Sequence, residues 1–231
     1  MDKKSINFSQ SAGNGDPPNE AFESLSLNHV NGGFDQGRVE TYPAQSVIFH
    51  QDAHSHAVYL IEQGLVKLVR VVENGQSIII GLRRRHWLIG APAVLLDQQY
   101  SITAITLVPS TLRCIPARDF LDLVKTDEGF SWHLHRLLAR EITKQMKNVE
   151  AINCLPAKDR MKRFLRDMIE EQNPGGTEPT RISLPLTNKE LAQLLAITPE
   201  HLCRVLKEMT QEGHIRHAKG VLTVIDPASL L

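Results

Sequence analysis

LTNKELAQLLAITPEHLCRVLKEMTQEGHI, residues 186–215, decides the reading of this 231-residue chain. Thr187 and Glu190 have the spacing of a capping box. The hydroxyl can accept from an exposed amide at a helix start, and the carboxylate can reach back. Leu191, Leu194 and Leu195 follow as a buried face, and Ala196-Ile197 make a short turn. Thr198 is a good N-cap, and Pro199 fits the first helical position, where no amide is needed. Leu202, Val205, Leu206 and Met209 give a second helix its apolar stripe, leaving Glu200, His201, Cys203, Arg204 and Lys207 on the other side. This is helix-turn-helix spacing, in which the N-terminal end of the second helix enters the major groove of double-stranded DNA. Arg204 suits guanine O6/N7, and Glu200 suits a cytosine amino group. They stand four apart and share a face, which also fits a surface ion pair within the helix.

Downstream, Gly213, a strand-like 215–217, Lys219-Gly220 and an apolar 221–225 read as a β-wing. Upstream, 157–172 is helical, and Asn173-Pro-Gly-Gly-Thr-Glu-Pro is a loop. Before Leu155-Pro156, residues 130–155 contain no Pro or Gly. There His135, Leu138, Ile142, Gln145, Val149 and Ile152 alternate spacings of three and four, a heptad seam. A helix packed on its own β-domain would also be apolar on one side. Length and position between two domains favour a dimer seam, with Leu138, Ile142, Val149 and Ile152 as its apolar members.

From Arg38 onward short β-branched runs recur at 46–49, 57–61, 66–72, 77–82, 102–107 and 111–115. Regular short strands with few helices predict an antiparallel sandwich or barrel. Asn74-Gly75 predicts a tight hairpin with both turn residues at positive φ. Residues 1–36 are rich in Ser, Asn, Gly and Asp and read as a flexible arm, with a short helix possible near 20–27. The expected division is an arm over 1–36, a β-domain over 37–127, a dimerisation helix over 128–155 and a winged helix-turn-helix over 156–231.

Composition narrows the class without naming it. Lys+Arg and Asp+Glu are 26 each. Residues 155–231 carry eleven basic and ten acidic side chains. DNA binding must therefore be argued from where charges sit, not from their sum. No apolar run is long enough to span a bilayer, and MDKKSINFSQ lacks the apolar core of a secretory signal, so a cytoplasmic protein is expected. Cys114, Cys154 and Cys203 have no C-x-x-C spacing and read as separate reduced thiols. No Gly-rich phosphate loop, G-x-S-x-G or H-E-x-x-H occurs, so no enzymatic role is expected.

The chain resembles the Crp/Fnr family of transcription regulators from about residue 38 to 224. The family's L-T-x-x-E-L-A-x-L-L-G-x-T-x-E-x-x-x-R-x-L stands here as Leu186, Thr187, Glu190, Leu191, Ala192, Leu194, Leu195, Ala196, Thr198, Glu200, Arg204 and Leu206. Leu155-Pro-Ala-Lys-Asp-Arg160 resembles its hinge, and Val58-Tyr59-Leu60-Ile61, Gly64, Val66-Lys67-Leu68, Gly75 and Gly90 its β-roll. The resemblance implies an α+β chain: an N-terminal antiparallel, jelly-roll-like β-roll, a long dimerisation helix and a C-terminal winged helix-turn-helix. It implies base reading by Glu200 and Arg204 with Cys203 beside them, and contacts to phosphate or flanking bases by Thr187, Lys189, Thr198 and His201. The implied partners are DNA, a second copy of the chain and, for an activator, RNA polymerase.

Several departures carry expectations of their own. Pro199 stands where some members have a base-contacting arginine, which favours TTGA-like, Fnr-type half-sites over TGTGA-like ones. Ala196 replaces the turn glycine, at little cost if the turn avoids positive φ. Ala91 and Ile102 stand where cyclic-nucleotide-binding members carry a glutamate and an arginine, so cyclic AMP is not expected. Leu82, Ile89, Gly90, Ala91, Pro92, Leu95, Ile102 and Thr103 are the expected surround of an effector pocket, occupied by an apolar ligand or packed on itself. Arg83-Arg84-Arg85-His86-Trp87 reads as a solvated charged loop, or else as a contact for an anionic effector or polymerase. No cofactor is expected. With no cysteine before Cys114, an N-terminal iron–sulfur cluster has no ligands. A haem or metal at His50, His54 and His56, a redox-sensitive Cys203, and an interaction protein that has lost DNA binding are the alternatives.

Overall fold

The computed structural model describes residues 37–170, 180–218, 221–225 and 227–230. The expected N-terminal arm and its short helix, the 173–179 loop and the Lys219-Gly220 wing tip lie outside the described residues. Among the described residues the β-roll is two four-stranded antiparallel sheets. Its strands are β1 Arg38–Tyr42, β2 Val47–Phe49, β3 Ala57–Gln63, β4 Leu65–Val71, β5 Ser77–Arg84, β6 Leu88–Ile89, β7 Thr103–Thr106 and β8 Ser110–Pro116. One sheet has the order β1-β8-β3-β6, the other β2-β7-β4-β5.

Phe49, Tyr59, Ile61, Val66, Leu68, Ile89, Ala104 and Leu112 form the core between the sheets. β3 is buried almost throughout because its second face has a separate cover. Val58 and, on β8, Ile115 pack under Ala91, Val94, Phe120, Phe130 and Leu134. Those five come from helices α1 (Ala91–Leu95), α2 (Ala117–Thr126) and α3 (Glu128–Cys154). A strand buried on both faces reads as a continuous apolar run, as residues 57–61 do. Between β3 and β4, Gly64 has φ +114°, and a Cβ there would lie 2.1 Å from the Ser110 Oγ. Only glycine fits that turn.

The Asn74-Gly75 hairpin forms, but not as the expected primed turn. Only Gly75 has positive φ. Its amide donates to the Val72 carbonyl at 2.8 Å, and the Gln76 amide donates to the Asn74 Oδ1 at 2.9 Å. Glu73 and Asn74 make an ordinary turn, and Gly75 follows as a left-handed bulge, the longer hairpin alternative. The sequence reading also passed over β1, β6, α1 and α2.

α3 starts where the Asp127 side chain accepts from the Phe130 amide at 2.9 Å. Its first half packs on the β-roll through Phe130, Leu134 and Leu137. Its second half exposes Ile142, Met146, Val149 and Ile152. After Pro156 come α4 (Ala157–Glu170), β9 (Thr180–Ser183), α5 (Asn188–Leu194), α6 (Pro199–Gln211), β10 (Ile215–Ala218), β11 (Val221–Val224) and a 3-10 turn, Pro227–Leu230. The three strands pair antiparallel in the order β10-β11-β9. Met161, Leu165, Ile182, Leu191, Leu202, Met209, Ile215 and Val224 belong to the core of this winged domain. No helix among the described residues is long and apolar enough to cross a membrane.

Candidate nucleic-acid interface

The two reader helices form as their caps dictate. The Glu190 amide donates to the Thr187 Oγ1 at 3.2 Å, and the Thr187 amide donates to the Glu190 Oε2 at 2.8 Å. α6 begins at Pro199, with the His201 amide donating to the Thr198 Oγ1 at 3.2 Å. Between them, Ala196 takes φ +53°. The Ile197 amide donates to the Ala192 carbonyl and the Ala196 amide to the Gln193 carbonyl, both at 3.0 Å. That is a Schellman end, whose left-handed position glycine normally fills. The condition that made Ala196 inexpensive is therefore not met, and a left-handed alanine costs about 1 kcal/mol.

Leu202, Val205, Leu206 and Met209 bury one side of α6, and Glu200, Cys203, Arg204 and Lys207 stand exposed on the other. Thr187, Lys189 and Thr198 are also exposed, and His201 is half-buried. The Glu200 carboxyl sits below its ordinary value because its own amide and the Thr198 hydroxyl donate to it, with Arg204 adding charge. It is thus a carboxylate, able to accept from a base amino group. At the far end of the helix Lys158 donates to Glu208 at 2.8 Å and Glu212 at 2.6 Å. This fastens α6 to α4 by its C-terminal end.

The β-roll holds a cavity of about 180 Å³. Ile89, Gly90, Ala91, Pro92 and Ile102 line it as expected, together with Arg83, Trp87, Leu137 and Glu141. Leu82, Leu95 and Thr103 do not line it. Leu82 neighbours Arg83 on a strand, where successive side chains face opposite ways. Leu95 packs with the Val58–Phe120 core, and the Thr103 hydroxyl accepts from the Gln51 amide at 2.9 Å.

Arg83 is not in a solvated loop. It ends up buried on β5, donates to Glu141 of α3 at 2.5 Å and lies 4.9 Å over the Trp87 ring. Gln145 donates to the same Glu141 oxygen at 2.6 Å. Nothing local in the sequence announces a partner this distant.

Leu138 faces the β-roll core, whereas Ile142, Val149 and Ile152 are exposed. Met146, outside the expected heptad seam, completes the exposed stripe. His50, His54 and His56 are exposed, and no group of three metal-ligating side chains converges among the described residues.

Reader and β-roll also touch. Lys67 of β4 donates to the Glu190 Oε1 at 2.6 Å, and the Gln193 side chain of α5 donates to the Ser77 carbonyl at 3.1 Å. Sequence reasoning gave Glu190 its capping role and missed this second one.

Residues 39–127 match the cyclic nucleotide-binding domain family, and residues 159–231 match the Crp-like helix-turn-helix domain family. The chain is 26% identical to the cyclic AMP receptor protein of Thermus thermophilus over 82% of this chain and 84% of that protein. It is 24% identical to the global nitrogen regulator of Synechocystis over 83% of this chain and 86% of that protein. FixK2 from Bradyrhizobium japonicum shares the fold, with a TM-score of 0.72 at 16% identity over 84% of this chain and 95% of that one. With both domains matched in order by regulators of the same construction, the chain belongs to the Crp/Fnr family of transcription regulators and carries that family's DNA-binding helix-turn-helix.

Proposed function

We propose that the protein binds a palindromic promoter site as a homodimer, each copy reading one half-site through Glu200 and Arg204, with Cys203 beside them. Thr187, Lys189, Thr198 and His201 hold the DNA backbone. The carrying observation is the bare second half of α3, where Ile142 is 62%, Met146 68% and Val149 60% exposed on one stripe. Large apolar side chains repeated along an exposed helix mark a surface that another protein covers. A second α3 has the matching repeat. With Pro199 in place of an arginine, Fnr-type TTGA half-sites are the expected targets.

Control is assigned to the β-roll, by a signal other than cyclic AMP in its usual mode. The cavity is small beside the roughly 300 Å³ at which ligand sites begin. Ala91 and Ile102 bring no charge to it, and its one arginine, Arg83, already faces Glu141. A cyclic phosphate entering there would meet a neutralised cation.

Sedimentation and gel-shift measurements on an Ile142→Asp/Val149→Asp variant test the dimer. The expected outcome is a monomer that binds a two-half-site probe about 100-fold more weakly, because linkage of the two readers is lost. A monomeric wild type, or a variant that retains dimer mass and affinity, sinks the proposal.

A further inference from the structure

We infer that Lys67, a residue of the β-roll, is a positioning residue for DNA recognition, acting through Glu190. The reader meets the β-roll by its first helix, α5, and not by the base-reading helix. The Lys67 Nζ and Glu190 Oε1 are 2.6 Å apart, with only 13% and 22% of the two side chains exposed. The other oxygen of the same carboxylate accepts from the Thr187 amide and hydroxyl, at 2.8 and 2.9 Å. One carboxylate therefore joins strand β4 directly to the start of α5. Burial pushes the Glu190 carboxyl up, but the bonds from Lys67 and Thr187 outweigh it and keep the group below its ordinary value.

Two more ties act on α5 and its end. Gln193, near the end of α5, donates to the Ser77 carbonyl at 3.1 Å. Past that end, Arg160 donates to the Ala196 carbonyl at 3.4 Å through Nη2. Its Nη1 holds the Ile152 and Leu155 carbonyls at 3.0 and 3.1 Å. α5 is thus gripped at its start by β4, further along by β5, and beyond its end by the hinge and the end of α3. α4 is held as well, by Arg163 donating to the Lys147 carbonyl at 2.7 Å and to the Asn148 Oδ1 at 3.2 Å and by Arg84 of β5 donating to the Met168 sulfur at 3.2 Å, but Lys67 is the tie that reaches the start of α5.

The contact does not cover the reading face, since Glu200, Cys203, Arg204 and Lys207 remain exposed. It sets where that face points. On a two-fold site the half-sites lie about 34 Å apart, so the angle of each reader against its dimer helix decides which spacing fits.

This inference rests on the homodimer reading, and the experiment separates the two. The full-length wild type, Lys67→Met and Lys67→Arg are titrated on four probes. These are a palindrome selected from random DNA by the wild type, the same palindrome with its spacer two base pairs longer or shorter, and one half-site alone. K67M is expected to lose about fivefold on the selected palindrome, the size of a partly buried ion pair. It should also lose discrimination between spacers, with single-half-site binding unchanged. K67R keeps the charge and should restore both, and K67R behaving as K67M overturns the assignment. An unchanged K67M, a K67M that binds more tightly, or an equal loss on all four probes also overturns it. A wild type that binds one half-site as tightly as the palindrome defeats the homodimer reading itself, and Lys67's role with it.

Discussion

On α6 the charged groups Glu200, Arg204 and Lys207 face solvent, and α6 is fastened from behind by Lys158 and a buried apolar stripe. In the β-roll cavity Arg83 and Glu141 face each other, 10% and 21% exposed, with Arg83 over the Trp87 ring. The α6 surface presents exposed charge on a packed backing, which suits a ligand that arrives from outside with its own donors and acceptors. In the cavity one Glu141 oxygen, Oε1, takes both Arg83 and Gln145, and the other, Oε2, is buried without a hydrogen-bond partner. A ligand that enters it meets a cation already paired and one carboxylate oxygen still able to accept.

The contrast breaks most sharply at Arg204. Arg204→Ala is expected to weaken specific binding about 100-fold and relax selectivity at one base pair per half-site, while non-specific binding changes little. Competition gel-shifts against single-base variants of the site read this directly. A uniform loss across sequences would make Arg204 a phosphate contact.

Next in size is Glu141→Leu, which removes the carboxylate that faces the buried Arg83. A loss of about 2 kcal/mol in β-roll stability is expected, below the usual figure for a fully buried pair because Glu141 is partly exposed. Urea unfolding followed by Trp fluorescence measures it. No loss would mean that the cavity charges are not committed to each other. The smallest effect is at Ala196→Gly, expected to stabilise the reader by about 1 kcal/mol by relieving a left-handed alanine. A lower unfolding midpoint for that variant would show that residue 196 is not held at positive φ in solution.

What could be read beforehand was whatever depends on residues close in the chain. Thr187 with Glu190, and Thr198 with Pro199, declare their helix starts because each cap bonds within three residues. The α6 stripe followed from 3.6-residue spacing alone. The missed features depend on distant partners or on a backbone angle. β6 is two residues long and exists because Tyr59 and Leu60 pair with it. Arg83 looked solvated because Glu141 lies on another element. The heptad spacing found an apolar seam but could not tell that the β-roll already covers Leu138, which turns the exposed stripe toward Met146. Ala196 marks the reverse limit: alanine is inexpensive there only if the turn avoids positive φ, and the Schellman bonds impose a left-handed residue.

The place of β5 at the rim of its sheet has a separate consequence. Among the described residues it is hydrogen-bonded to β4 on one side only, and it carries Ile78, Ile79 and Ile80 in succession. An outer strand of that composition is a template for unwanted strand addition from other chains. α5 lies against it and takes one of its carbonyls through Gln193. A β-roll separated from α5 would present that outer strand uncovered, with its isoleucine run beside the unpaired edge.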